Sequence, residues 1–80
     1  MPDADRLAVH IAAGEITTIA KQIEAQVDLR HHSATLALAH WSGHHADVFR
    51  RQCDRQYREG KALVDTLRAV ARYALTTVTP

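Results

Sequence analysis

Eighty residues, 46% of them hydrophobic and 24% charged, describe one domain at most, too apolar for a disordered chain and too short to enclose a large core. A net charge of +1 excludes the strongly basic class that binds nucleic acid by charge alone, and the single cysteine, Cys53, excludes an internal disulfide. No apolar run approaches the ~18 residues of a membrane span, and Met1 to Arg6 lacks the basic-then-apolar order of a secretory signal peptide.

Alanine, arginine and leucine, all good helix formers, are prominent, and the two prolines, Pro2 and Pro80, stand at the ends, so nothing interrupts a helical reading. Asp3 or Asp5 can cap free backbone N–H groups, which predicts a first helix over about residues 5–40. Its apolar stripe runs Val9, Ala12, Ile16, Ile19, Ala20, Ile23, Val27, Ala34, Leu38 and Trp41 at helical spacing, with a weak point at Arg30 and His31. Leu7, Ile11, Leu29 and Leu36 fall beside the stripe and widen it beyond what one partner helix covers.

Trp41-Ser42-Gly43 follows, at the middle of the chain. Gly43 suits the left-handed conformation that ends a helix, and Ser42 or Gly43 can cap the next one, with Asp47 in its first turn. The second helix, about residues 44–76, carries Ala46, Phe49, Cys53, Gln56 or Tyr57, Gly60, Leu63, Val64, Leu67, Val70, Ala71 and Ala74 on its apolar side. Its outer side pairs opposite charges at i, i+4: Arg50 with Asp54, Asp47 with Arg51, Asp54 with Arg58, Arg55 with Glu59, Lys61 with Asp65. Thr76, Thr77 and Thr79, leading into Pro80, read as a fraying end.

Two helices of nearly equal length about a central turn predict an all-α fold, a single antiparallel hairpin over residues 1–80. Facing residues should have numbers summing to about 84: Leu38 with Ala46, Ala34 with Phe49, Val27 with Tyr57, Ile23 with Gly60, Ile16 with Leu67. The halves are charged oppositely, −2 for residues 1–42 and +3 for residues 43–80. A two-helix hairpin has no enclosed interior, so the surplus apolar width demands a second hairpin and a four-helix bundle. Ile16, Ile19, Ile23, Val27, Leu38, Phe49, Tyr57, Leu63, Leu67 and Val70 are the expected core and partner-interface residues, with Trp41 and Gly43 as the turn motif.

The stretch Trp41-Ser42-Gly43-His44-His45-Ala46-Asp47-Val48-Phe49 resembles the Trp-X-Gly (WXG) family, the small ESAT-six-like proteins of bacterial type VII secretion; Trp41, Gly43, Ala46 and Phe49 carry the match, with Leu63 and Leu67 at apolar positions of the second helix. The resemblance implies hairpins that pair, as homo- or heterodimers, into antiparallel four-helix bundles, and that are exported without a cleavable signal peptide or accompany a larger exported effector such as a toxin. The partners it implies are a second hairpin chain, that effector and the secretion ATPase. It implies a secreted protein with a cytoplasmic pool before export, or a cytoplasmic accessory chaperone. The chain departs from the family in its shortness and in lacking a tyrosine followed four residues later by Asp or Glu: Lys61 follows Tyr57 and Thr77 follows Tyr73 at that spacing.

Other chemistry is thinly represented. His40, His44 and His45 crowd the turn, and His31 and His32 should lie across from Cys53, but Gly43 interrupts one set and the other supplies two ligands, so neither metal nor cofactor is expected. The three turn histidines could make the turn sensitive to mildly acidic pH. Arg51, Arg55 and Arg58 form a stripe interleaved with acids, a solvated salt-bridged face rather than a nucleic-acid site. Cys53, inside a helix facing a core, and Ser42, with no carboxylate orienter, make poor nucleophiles, so no enzymatic activity and no catalytic residue is expected. The alternative function is a dimeric helical-bundle metal-binding or regulatory module unrelated to secretion.

Overall fold

Asp3 and Asp5 occupy the first turn of helix α1, Asp3–Leu38, where carboxylates offset the exposed N–H groups and the positive end of the helix dipole. The computed structural model describes residues 3–78; Met1, Pro2, Thr79 and Pro80 lie outside the described residues, and with them the expected proline-marked ends and the last part of the fraying segment. Helix α2 spans His44–Val78, so the two helices have 36 and 35 residues. Thr76 and Thr77 stay helical, their hydroxyls donating back to the carbonyls of Arg72 and Ala74 at 2.8 and 2.7 Å.

Between the helices the chain does not simply reverse. Ala39 N–H donates to Leu36 O and Trp41 N–H to Leu38 O at 3.3 and 3.1 Å, the tighter i−3 bonding of a closing turn. Gly43 then takes φ 101°, a left-handed conformation that a side chain would strain, and its carbonyl accepts the Asp47 N–H at 3.1 Å to begin α2. The helices lie against each other along a rod with principal extents of 61 × 15 × 12 Å. Its radius of gyration is 18.2 Å, against about 12 Å for a compact chain of this length.

The register differs from expectation by about one helical turn. Val27 meets Gly60, His31 stacks on Tyr57 with centroids 4.1 Å apart, and Arg50 reaches the Leu38 carbonyl, pairs whose numbers sum to 87 or 88. The shift goes with the connection: α1 ends at Leu38, α2 begins at His44, and Arg50 of the second turn of α2, not Ala46, reaches the Leu38 carbonyl.

The seam is built of small side chains. Ala13, Ala20, Ala46, Val64, Ala71 and Val78 are buried, and among the described residues Val64 is the largest side chain fully enclosed. On α2 the seam positions step by sevens in two interleaved rows, Ala46, Cys53, Gly60, Leu67, Ala74 and Arg50, Tyr57, Val64, Ala71, Val78. That 3.5-residue repeat is the pattern of helices coiling left-handedly about each other. On α1 the row Val9, Ala13, Ile16, Ala20, Ile23, Val27 keeps the repeat, then takes one extra four-residue step to His31 before Ala34 and Leu38. His31 thus fills the weak point of the stripe. Ala13, not Ala12, is the buried alanine.

Candidate partner-binding surface

Each seam residue has a neighbour on either side, and the two flanks of the hairpin differ in kind. Residues just after seam positions, Glu24, Asp28, Lys61 and Arg68, share one flank. There Lys61 Nζ donates to Glu24 Oε2 at 3.1 Å and to Asp28 Oδ1 at 3.3 Å, while the Arg68 guanidinium donates to both Glu24 oxygens at 3.2 and 3.1 Å. The Arg68 hydrogen bonds, then those of Lys61, hold the Glu24 carboxyl below the usual glutamate range; Glu24 in turn raises Lys61 and Arg68. Lys61 also lies 5.6 Å from the Tyr57 ring centroid. Sequence spacing within one helix did not reveal this network, because its pairs cross the hairpin and depend on the register.

On the opposite flank, the residues just before Ala20 and before the row Arg50, Tyr57, Val64 and Ala71 are uncharged and include four large apolar side chains beside Gln56. Ile19 precedes Ala20; Phe49, Leu63 and Val70 precede Arg50, Val64 and Ala71. These four are 47–50% exposed, an open face where a packed core would hide them. Of the other expected core and interface residues, Ile16, Ile23, Val27, Leu38, Tyr57 and Leu67 are half-buried along the seam.

A third apolar set lies elsewhere. Leu7, Ile11, Leu29 and Leu36, expected to widen the stripe, are 53–65% exposed. Each stands two positions from a seam residue, which turns it roughly 200° away, onto the side of α1 opposite α2. They form a separate outer face.

At the turn end, Trp41 and Phe49 meet edge to face, ring centroids 6.1 Å apart, both at least half exposed. Trp41, expected at the end of the apolar stripe of the first helix, thus lies beyond α1 and is exposed. Beneath them Arg50 clamps the connection, donating to Leu38 O at 2.7 Å and to Trp41 O while pairing with Asp47 Oδ1 at 3.1 Å. The last turn of α1 has no basic residue of its own, so a cation from α2 satisfies its free carbonyl.

His44 and His45 sit side by side, centroids 5.9 Å apart; His40 and His32 are exposed. His31 and half-buried Cys53 line the same hollow with Ala34, as their predicted proximity required. Among the described residues, no group of three or more His, Cys, Asp or Glu is placed to hold a metal ion. Nor is any helix there long and apolar enough to cross a membrane.

Fold and surface together define a helical hairpin with one charged and one open apolar flank. No family model, curated protein or solved structure matches this chain.

Proposed function

We propose that this hairpin is a non-enzymatic pairing subunit that works by covering its apolar flank with a second helical hairpin, forming a four-helix bundle. The observation that carries the reading is the contrast between a buried core of four alanines and two valines and an open flank of Ile19, Phe49, Leu63 and Val70. Fully burying such a side chain is worth roughly 1.5–3 kcal/mol, and with each already about half covered, closing the flank adds on the order of half that per residue. The Trp41-Ser42-Gly43 connection, with Ala46 buried behind it and Phe49 against Trp41, supports the further reading of a WXG-like partner or targeting subunit of a bacterial type VII secretion system. In that role the chain pairs with itself or with a related hairpin and accompanies a larger exported effector to the secretion ATPase.

Sedimentation at micromolar concentration tests the pairing: the expected particle is twice the 8.9 kDa chain for a homodimer, or a stoichiometric complex when the chain is purified from its own cells. Leu63→Glu with Ile19→Glu should abolish that particle. A folded monomer both alone and from its own cells would remove the pairing reading. Co-purification without any second hairpin, exported effector or secretion ATPase would remove the secretion reading while leaving pairing intact.

A further inference from the structure

The side of α2 away from α1 carries Arg51, Arg55 and Arg58, all exposed. Arg51 and Arg58 follow seam residues Arg50 and Tyr57 and lean toward the charged flank; Arg55 lies opposite the seam. With Val48, Gln52 and Asp54 the three arginines line a shallow hollow of about 450 Å³. The expected intrahelical partners do not neutralise them. Among the described residues the ion pairs are Arg50 with Asp47, Lys61 with Glu24 and Asp28, and Arg68 with Glu24. The cations nearest the seam are thus taken up in holding the hairpin, while the outer three have no carboxylate at salt-bridge distance.

We propose that the Arg51–Arg55–Arg58 ladder is a docking surface for an acidic helix of a protein partner, one that presents carboxylates at the same i, i+4, i+7 spacing. The guanidinium fork suits paired oxygens of a carboxylate. Three forks rising about 10.5 Å along one helix match a second helix lying alongside. Half-buried Val48 gives the partner an apolar contact in the same hollow. A continuous polyanion fits less well, because Asp54 lines the hollow and exposed Glu59 stands beside it, where both would meet phosphates. Discrete carboxylates can be placed between them, and exposed intrahelical pairs are weak competitors. The ladder is not on the apolar flank, so it stays open whether or not that flank is covered. The inference goes beyond the pairing role and does not depend on it.

Fluorescence anisotropy with the full chain tests it at low salt. The probe is a labelled helix-forming peptide with glutamates at i, i+4 and i+7, beside a peptide of identical composition whose glutamates are scattered round the helix. The phased peptide should bind saturably and the scattered one about tenfold more weakly, and R51E/R55E/R58E should weaken the phased peptide by at least about tenfold with unchanged circular dichroism. If the triple variant loses helicity, R55Q alone should weaken binding by about threefold. The proposal is overturned by no saturable binding of the phased peptide, by equal binding of both peptides, or by variants that bind as the wild type does. It is also overturned if a duplex DNA of about 20 base pairs displaces the phased peptide at lower concentration than unlabelled peptide does.

Discussion

A Cβ at Gly60 would stand 2.7 Å from Val27 Cγ2 and 3.1 Å from Cγ1. Valine is stiff at χ1 and cannot swing both methyls away. Gly60→Ala therefore sets a helix-propensity gain of about 1 kcal/mol against an overpacking cost of roughly 1–3 kcal/mol. We expect G60A to destabilise the chain by about 1 kcal/mol in urea unfolding, yet to stabilise it in a V27A background, where the obstacle is gone. The same sign in both backgrounds would contradict the close approach. Glu24 makes a prediction in pH. Its carboxyl is held below the ordinary glutamate range by Arg68 and Lys61, so its contribution to stability is present above the unfolded value of about 4.3 and is lost as pH falls through the folded value. The stability gap between wild type and Glu24→Gln should be full at pH 6 and close on acidification below about 4.3. A gap that widens in acid would reverse the assigned direction. At Arg50, substitution by Met frees the Leu38 and Trp41 carbonyls and should lower stability by about 1 kcal/mol, with Arg50→Lys recovering part of it, since an ammonium reaches one carbonyl but lacks the fork.

At the scale of the elements, Val64 is the one large side chain fully enclosed between α1 and α2. Val64→Ala should cost about 2 kcal/mol, a large share of the stability of so thin a seam, while Leu29→Gln on the outer face of α1 should leave the unfolding midpoint within about 0.5 kcal/mol of wild type. The helices themselves were legible in sequence because no internal proline interrupts them, Asp3 and Asp5 mark a start, and Gly43 marks the break. Which face is which was legible on α2, where charge confines the apolar positions, and much less so on α1. There Leu7, Ile11, Ala12, Ile16 and Ile19 spread over about half the circumference, and periodicity could not choose Ala13 over Ala12. The register was not legible at all. It goes with the conformation of the five-residue connection 39–43, which pattern within either helix cannot encode, and every cross-hairpin contact, from Glu24 with Lys61 to His31 with Tyr57, depends on it.

On the scale of the whole molecule, the four sides of the rod divide into two neighbouring pairs. The ion-paired flank adjoins the arginine side of α2; the flank of Ile19, Leu63 and Val70 adjoins the outer face of α1 with Leu7, Ile11, Leu29 and Leu36. A second hairpin on the apolar flank would leave the outer face of α1 uncovered, so charge substitutions there should preserve the two-chain particle in sedimentation, whereas those at Ile19 and Leu63 should dissolve it. The thinness of the core adds a concentration dependence: if association supplies most of the buried apolar surface, the thermal midpoint must rise with protein concentration. A midpoint constant over a hundredfold dilution would show that the seam suffices alone.

The same division of sides has a consequence for the single chain out of contact with any other. A rod 61 Å long, wettable along one edge and water-averse along the other, is an amphiphile, and at an air–water boundary it should lie flat with Ile19 and Leu63 lifted out of the liquid. Dilute solutions should therefore raise the surface pressure of a pendant drop and lose protein to plastic walls. Leu63→Glu should suppress both effects by making the dry edge wet.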